Sequence, residues 1–113
     1  MPFINVTTNA QLTKGRELKL KTALGEAITA LPGKSEQWLM IAIQPSTVMY
    51  FQGTSDLCAM IQVSIYGKQT AEAKKALTQK VTKAVFDELK VAPERIYVSY
   101  FETPDWGMNG SNF

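Results

Sequence analysis

Histidine is absent from this chain of 113 residues, and cysteine occurs once, at Cys58. Without them, no Ser-His-Asp triad, Cys-His pair or His-ligated metal site can be assembled from one chain. A disulfide within the chain is excluded too, because it needs two thiols. The side chain that ordinarily shuttles protons near neutral pH is therefore missing. Acid–base chemistry is left to a carboxylate, a lysine, a tyrosine or the chain's own amino terminus. Arginine is nearly as scarce, with Arg16 and Arg95 alone. No apolar run approaches the roughly 20 residues that cross a bilayer, so no membrane partner is expected. The start, Met1-Pro2-Phe3-Ile4-Asn5-Val6, has no basic segment and turns polar early, unlike a signal peptide. A cytoplasmic protein is expected, and any secretion would have to proceed without a signal peptide.

What is present fits one compact domain over residues 1–113, 45% hydrophobic and 19% charged. Twelve basic and ten acidic side chains leave a net charge of +2. Lys74, Lys75, Lys80 and Lys83 share one predicted helix, but no arginine or stacking aromatic interleaves with them. They read as a solvated helix face, and no nucleic-acid partner is expected.

Hydrophobic spacing predicts the order strand–helix–strand twice. Phe3–Thr7 reads as a strand by alternation. A helix opening near Thr13 would bury Leu20, Ala23, Leu24, Ala27, Ile28 and Leu31, and Pro32-Gly33 would end it. Trp38–Ile43 is apolar on both parities, as in a strand covered on two faces. Val48–Phe51 reads as a short strand before the turn-like Gly53-Thr54-Ser55-Asp56. Cys58–Tyr66 is a longer strand stopped by Gly67. A second helix from about Thr70 would bury Ala73, Ala76, Leu77, Val81, Ala84, Val85 and Leu89, and Ile96–Phe101 is the last main strand.

The halves align at an offset of 58 residues, with Leu31 on Leu89, Ala27 on Val85 and Glu36 on Glu94. The expected fold is thus a duplicated βαβ unit, an α/β (α+β) domain with a four-stranded sheet and two helices on one face. Two helices cover only one side of such a sheet. The other side takes one parity of each strand, and those residues are substantially apolar. A soluble monomer rarely leaves such a face open, so an oligomer is expected to bury it.

Few residues are left to carry chemistry. Initiator methionine is normally removed before a small residue, and removal here would leave Pro2 as a secondary amine. An α-amino group has a reference pKa of about 8, and burial or a neighbouring cation lowers it, so such an amine can act as a base. Taken alone, Met1-Pro2 reads more simply as an ordinary chain start; with Met1 retained, the Pro2 nitrogen is an amide with no basic lone pair. Lys34, between a helix end and a strand, fits a carboxylate-binding cation or a solvated lysine on a helix C-terminus. Tyr97 and Tyr100 read as core or interface aromatics, and Cys58 as a small buried hydrophobe. Trp106 and Phe113 lie in a Gly/Asn-rich tail, where aromatics need a neighbouring subunit or a pocket mouth to cover them.

Met1-Pro2, Gly33-Lys34, Met49-Tyr50-Phe51-Gln52-Gly53-Thr54, Cys58-Ala59, Ile65-Tyr66-Gly67-Lys68, Arg95-Ile96-Tyr97 and the stretch from Trp106 to Phe113 together resemble the macrophage migration inhibitory factor family of the tautomerase superfamily. The resemblance runs through the whole chain in order. It implies a homotrimer with extra short inter-subunit strands, its sheets surrounding a channel, and no cofactor or metal. It also implies keto–enol tautomerisation of a phenylpyruvate-like 2-keto acid. Pro2 would be the base, and Lys34 would bind the substrate carboxylate and depress the proline pKa. Tyr66 would contribute its backbone amide and Tyr97 a pocket wall from the adjacent subunit. Trp38, Trp106, Met108 and Phe113 would form the apolar rim.

Three departures stand out. Ser99 replaces a longer polar amide side chain. Met108 replaces an aromatic, with Trp106 supplying one two positions earlier. Cys58-Ala59-Met60-Ile61 lacks the second thiol of a Cys-x-x-Cys pair, which argues against thiol–disulfide exchange. The resemblance also implies cytokine-like activity, so a non-catalytic signalling protein with a protein receptor and a vestigial pocket is the alternative. Hydration or dehalogenation of small acrylates, which superfamily members perform with added pocket arginines, fits less well, given where Arg16 and Arg95 fall.

Overall fold

The computed structural model describes residues 1–113. Strand β1 (Pro2–Thr8), helix α1 (Lys14–Ala27) and strand β2 (Met40–Gln44) form the first half; β3 (Ala59–Tyr66), α2 (Ala71–Leu89) and β4 (Ile96–Thr103) form the second. The sheet order is β2-β1-β3-β4, parallel within each half and antiparallel where β1 meets β3. Each half is thus a βαβ unit, and the two sit side by side in one sheet. A small hairpin, β5 (Gly107–Met108) with β6 (Ser111–Asn112), closes the chain.

Both helices start where a side chain can take up a free amide. Thr13 accepts from the Arg16 amide at 3.2 Å and Thr70 from the Ala73 amide at 3.1 Å. Strand alternation and helix spacing then point the same residues inward. Ile4 and Val6 of β1 and Ile61, Val63 and Ile65 of β3 meet Leu20 and Leu24 of α1 and Leu77, Val81 and Val85 of α2 in one core. All are almost fully buried, and each such side chain contributes about 1.5–3 kcal/mol by leaving water. The helices share one side of the sheet, as expected. No helix is long and apolar enough to cross a membrane.

The structure corrects three expectations. Trp38 is not in a strand: Glu36–Trp38 is a 3₁₀ turn, and β2 begins at Met40. Val48–Phe51 forms no strand, because this subunit offers it no partner. Phe51 instead closes a tight turn on Thr54 through two backbone hydrogen bonds of 2.9 and 3.1 Å. Nor is the second face of the sheet uniformly apolar. Phe3, Met40 and Phe101 lie in one cross-strand row with Ser64, and Tyr97 pairs with Met60 further along. Between the two rows Asn5 donates to Gln62 Oε1 at 3.0 Å, and in the Tyr97 row itself Thr7 donates to Gln44 Oε1 at 3.0 Å.

Candidate active site

Four segments converge at the end of the sheet where β1 begins. Pro2, buried, pairs with Ile65 in the antiparallel ladder, which places it beside the last turn of β3. Gly67, with φ of 87°, turns the chain sharply just after Tyr66. Gly33, with φ of 80°, does the same just before Lys34. Left-handed backbone of this kind suits glycine, which has no Cβ to clash. The two turns bring Lys34 over the strand end, where its Nζ donates to the Tyr66 carbonyl at 3.1 Å. The ring of Tyr66 lies 5.5 Å from that of Phe113, centroid to centroid. The Phe113 amide in turn donates to the Trp106 carbonyl at 2.9 Å, tying the tail across the opening.

Met1 fills the centre of this group. Its carbonyl accepts from the Tyr66 amide at 3.1 Å. Its amino group is pushed down to about 6, chiefly by loss of water around it and then by a hydrogen bond to, and the charge of, Lys34. An amine here is thus largely neutral at pH 7. The same spot holds a cation able to bind a carboxylate and a backbone amide able to bind an oxygen.

Across the second face of the sheet, at the end where β1 begins, Phe3, Met40, Ser64, Phe101, Thr103, Asp105 and Trp106 line an open depression of about 380 Å³. Trp106, an odd aromatic in a polar tail, therefore has somewhere to pack. Phe3, Met40 and Phe101 escaped sequence reasoning because only the strand register places them in one row.

The remaining expected site residues do not all join the cluster. Pro2, Lys34, Tyr66 and Phe113 come together within one subunit. Met108, in the terminal hairpin, is 45% exposed, and Trp38 is 49% exposed on its turn. Tyr97 and Ser99 lie on the second face of the sheet, far from Pro2. Tyr66 pairs with Thr103, so Tyr97 is six residues further along β4, about 20 Å at the rise of a strand. A single subunit cannot bring Tyr97 to Pro2.

Comparison with known proteins follows the same lines. A sequence model described as Macrophage migration inhibitory factor (MIF) matches residues 1–113. The chain belongs to the MIF family. It is 30% identical over 118 residues to macrophage migration inhibitory factor of Rattus norvegicus, covering all of this chain and 99% of that one. It is 29% identical to a homolog from Brugia malayi over 115 residues, with the same coverage of both chains. Among solved structures, Leishmania major MIF2 superposes with a TM-score of 0.93 at 31% identity, over 100% of this chain and 97% of that one. The fold described above is therefore the MIF fold, reached through whole-length similarity and not through one motif.

Proposed function

We propose that this MIF-family protein is a keto–enol tautomerase for phenylpyruvate-like aryl 2-keto acids, with Pro2 as the catalytic base once Met1 has been removed. The observation that carries the reading is the amine pocket. The amino group at this strand end is depressed to about 6 by burial and Lys34, so it is free to accept a proton at neutral pH. Removing Met1 makes Pro2 the amine in the same surroundings. It also frees the Tyr66 amide from the Met1 carbonyl and Lys34 from the Met1 amine.

In this scheme the substrate takes the place Met1 vacates. The Lys34 ammonium holds the carboxylate and the Tyr66 amide an adjacent oxygen, while the apolar rim, including Phe113 and Trp106, takes the aryl ring. The Pro2 nitrogen accepts the proton of the enol hydroxyl as the C–O double bond forms. It then gives that proton to the neighbouring carbon, where the C–C double bond supplies the electron pair. The net change is one proton moved from oxygen to carbon, with no cofactor.

The scheme needs a second subunit, because Tyr97 stands about 20 Å from Pro2. Met40, Tyr97 and Phe101 are each more than 60% exposed on the uncovered sheet face or beside it. Association into a homotrimer buries such surface and delivers Tyr97 to a neighbour's pocket.

The test uses phenylpyruvate ketonisation followed in the ultraviolet. Pro2→Gly, with its processed terminus verified by intact mass, is expected to lose most of kcat. Lys34→Ala is expected to raise KM by about tenfold to a hundredfold, the size of a hydrogen bond to a charged group. Full activity in Pro2→Gly would end the proposal. A purely signalling protein would keep its partner binding through both changes.

A further inference from the structure

The guanidinium of Arg95 is committed to the loop that follows β2. Its Nε donates to the Leu57 carbonyl at 2.9 Å, and its Nη2 to the Phe51 and Asp56 carbonyls at 3.0 and 3.1 Å. The same group lies over the Phe51 ring, 5.1 Å from its centroid. Phe51 then meets Tyr97 edge-on, with centroids 4.9 Å apart and planes at 78°. Between Phe51 and Thr54, Gln52 and Gly53 both take positive φ, 53° and 78°, making a tight turn that fixes the Phe51 backbone. Arg95, Phe51 and Tyr97 are thus a chain of contacts, and Arg95 sits two residues before the tyrosine it steadies.

From this geometry we infer that Arg95 is a positioning residue for the aryl-binding wall of the active site, acting through Phe51 on the ring of Tyr97. The inference rests on the reading of Tyr97 as a wall of a neighbour's phenylpyruvate-type pocket. Tyr97 is 61% exposed in its own subunit, so the Phe51 edge is its identified aromatic support there. Three carbonyls at different points of one loop need a planar fork with several fixed donors. A lysine, with one compact ammonium, cannot span them. Arg95 touches no substrate; its effect is on where the Tyr97 ring stands when substrate binds, and so on aryl affinity rather than on proton transfer at Pro2.

The experiment compares Arg95→Lys, Phe51→Leu and Tyr97→Ala in the assembled protein, with size-exclusion chromatography to confirm that assembly is unchanged. Phe51→Leu retains the three backbone carbonyls that Arg95 donates to and removes the ring that both Arg95 and Tyr97 contact, so it stands in if the arginine variant folds poorly. Both upstream variants are expected to raise KM for phenylpyruvate about fivefold, the scale of one aromatic edge contact, with kcat within about twofold of the parent. For a 2-keto acid with a methyl group in place of the aryl ring, KM is expected to stay at the parental value. A second readout is free of the reaction: in protein carrying ¹³C-labelled tyrosine, both variants are expected to shift the Tyr97 ring signals, Phe51→Leu by removing the Phe51 ring current and Arg95→Lys by letting that ring move. If Tyr97→Ala raises KM while Arg95→Lys and Phe51→Leu leave it unchanged, the positioning role is overturned and the tautomerase reading stands. If the parent protein is inert toward phenylpyruvate but the Tyr97 signals shift, the tautomerase reading fails and the contact chain survives as a determinant of Tyr97 placement. Unchanged Tyr97 signals in both variants overturn the inference outright.

Discussion

At the strand end where β1 begins, one residue decides which chemistry is open. With Met1 in place, the nitrogen of Pro2 is an amide, and the amine beside Lys34 belongs to Met1. That amine is depressed to about 6 from an ordinary 8.0, with lost hydration the largest cause and Lys34 the next. The sign follows from the charge. Both causes penalise the protonated form, so the base is free above its lowered pKa and is taken out of action as pH falls through it. For the processed protein this predicts a kcat/KM that is flat near neutral pH and falls on the acid side, with its inflection below the usual α-amino value. Replacing Lys34 with alanine removes one of the two causes, so the inflection should move upward. A pH–rate profile of Lys34→Ala that superimposes on the parent's would show that Lys34 has no part in setting the base. Nothing in composition alone made Pro2 stand out from any other Met-Pro start; what separates it is the company of Lys34 and Tyr66, which only folding assembles.

The secondary-structure elements show where sequence reading succeeds and where it stops. Helix starts were legible because their signal is local: Thr13 and Thr70 cap the helices that their spacing predicts. Thr70→Ala should therefore destabilise the fold by about 1 kcal/mol, measurable by urea unfolding. Strand limits were less legible. Trp38 continues the apolar run of Leu39–Ile43 in composition, yet its backbone closes a 3₁₀ turn. Val48–Phe51 has the composition of a strand and no partner in its own subunit, a fact that no periodicity encodes. The start of α2 is also fixed from outside the helix. Lys74 pairs with Glu102 of β4 at 2.7 Å, and the Gln69 amide donates to the same carboxylate at 2.7 Å. Tyr100 donates to the Lys74 carbonyl at 2.8 Å while meeting the Thr78 hydroxyl at 2.9 Å. Lys74 and the Gln69 amide hold the Glu102 carboxyl below its ordinary 4.5. A depressed carboxyl stabilises the fold above its unfolded value, and that contribution is lost as pH falls through the folded value. Glu102→Gln should lower Tm at neutral pH, and the gap to the parent should close in acid. A gap that stays constant from pH 7 to pH 3 in thermal melts would contradict this account.

At the scale of the whole molecule, the sheet has one covered side and one open side, and the open side determines what the protein needs from its neighbours. Its outer rows carry Phe3, Met40 and Phe101 at one end and Met60 and Tyr97 at the other, with a polar band of Asn5 and Gln62 between them that Thr7 and Gln44 extend into the Tyr97 row. The polar side chains of that band satisfy one another through hydrogen bonds, so the middle of the face tolerates water. The apolar ends do not, and burial between copies is what lowers their free energy. The expectation of a substantially apolar second face was therefore only half right: the alternation in each strand was legible, but which polar residues line up across strands depends on register. Pro2 and Tyr97 sit at opposite ends of one subunit, so a site that uses both must be shared between copies, and this arrangement has a direct test. Pro2→Gly supplies a normal Tyr97 and a flexible primary amine in place of the ring-held secondary amine, a much weaker catalyst; Tyr97→Ala supplies the normal proline base and a defective wall. Mixed by co-expression, the two weak variants should form hybrid trimers in which some pockets combine an intact Pro2 with a neighbour's intact Tyr97. Activity at low phenylpyruvate should then exceed the average of the two separate proteins. With random assembly in equal amounts, about a quarter of the pockets would be fully intact, since each of two independent choices succeeds half the time. Activity that merely averages the two parents, in a preparation shown by native mass spectrometry to contain hybrid trimers, would place Pro2 and Tyr97 in functionally separate sites.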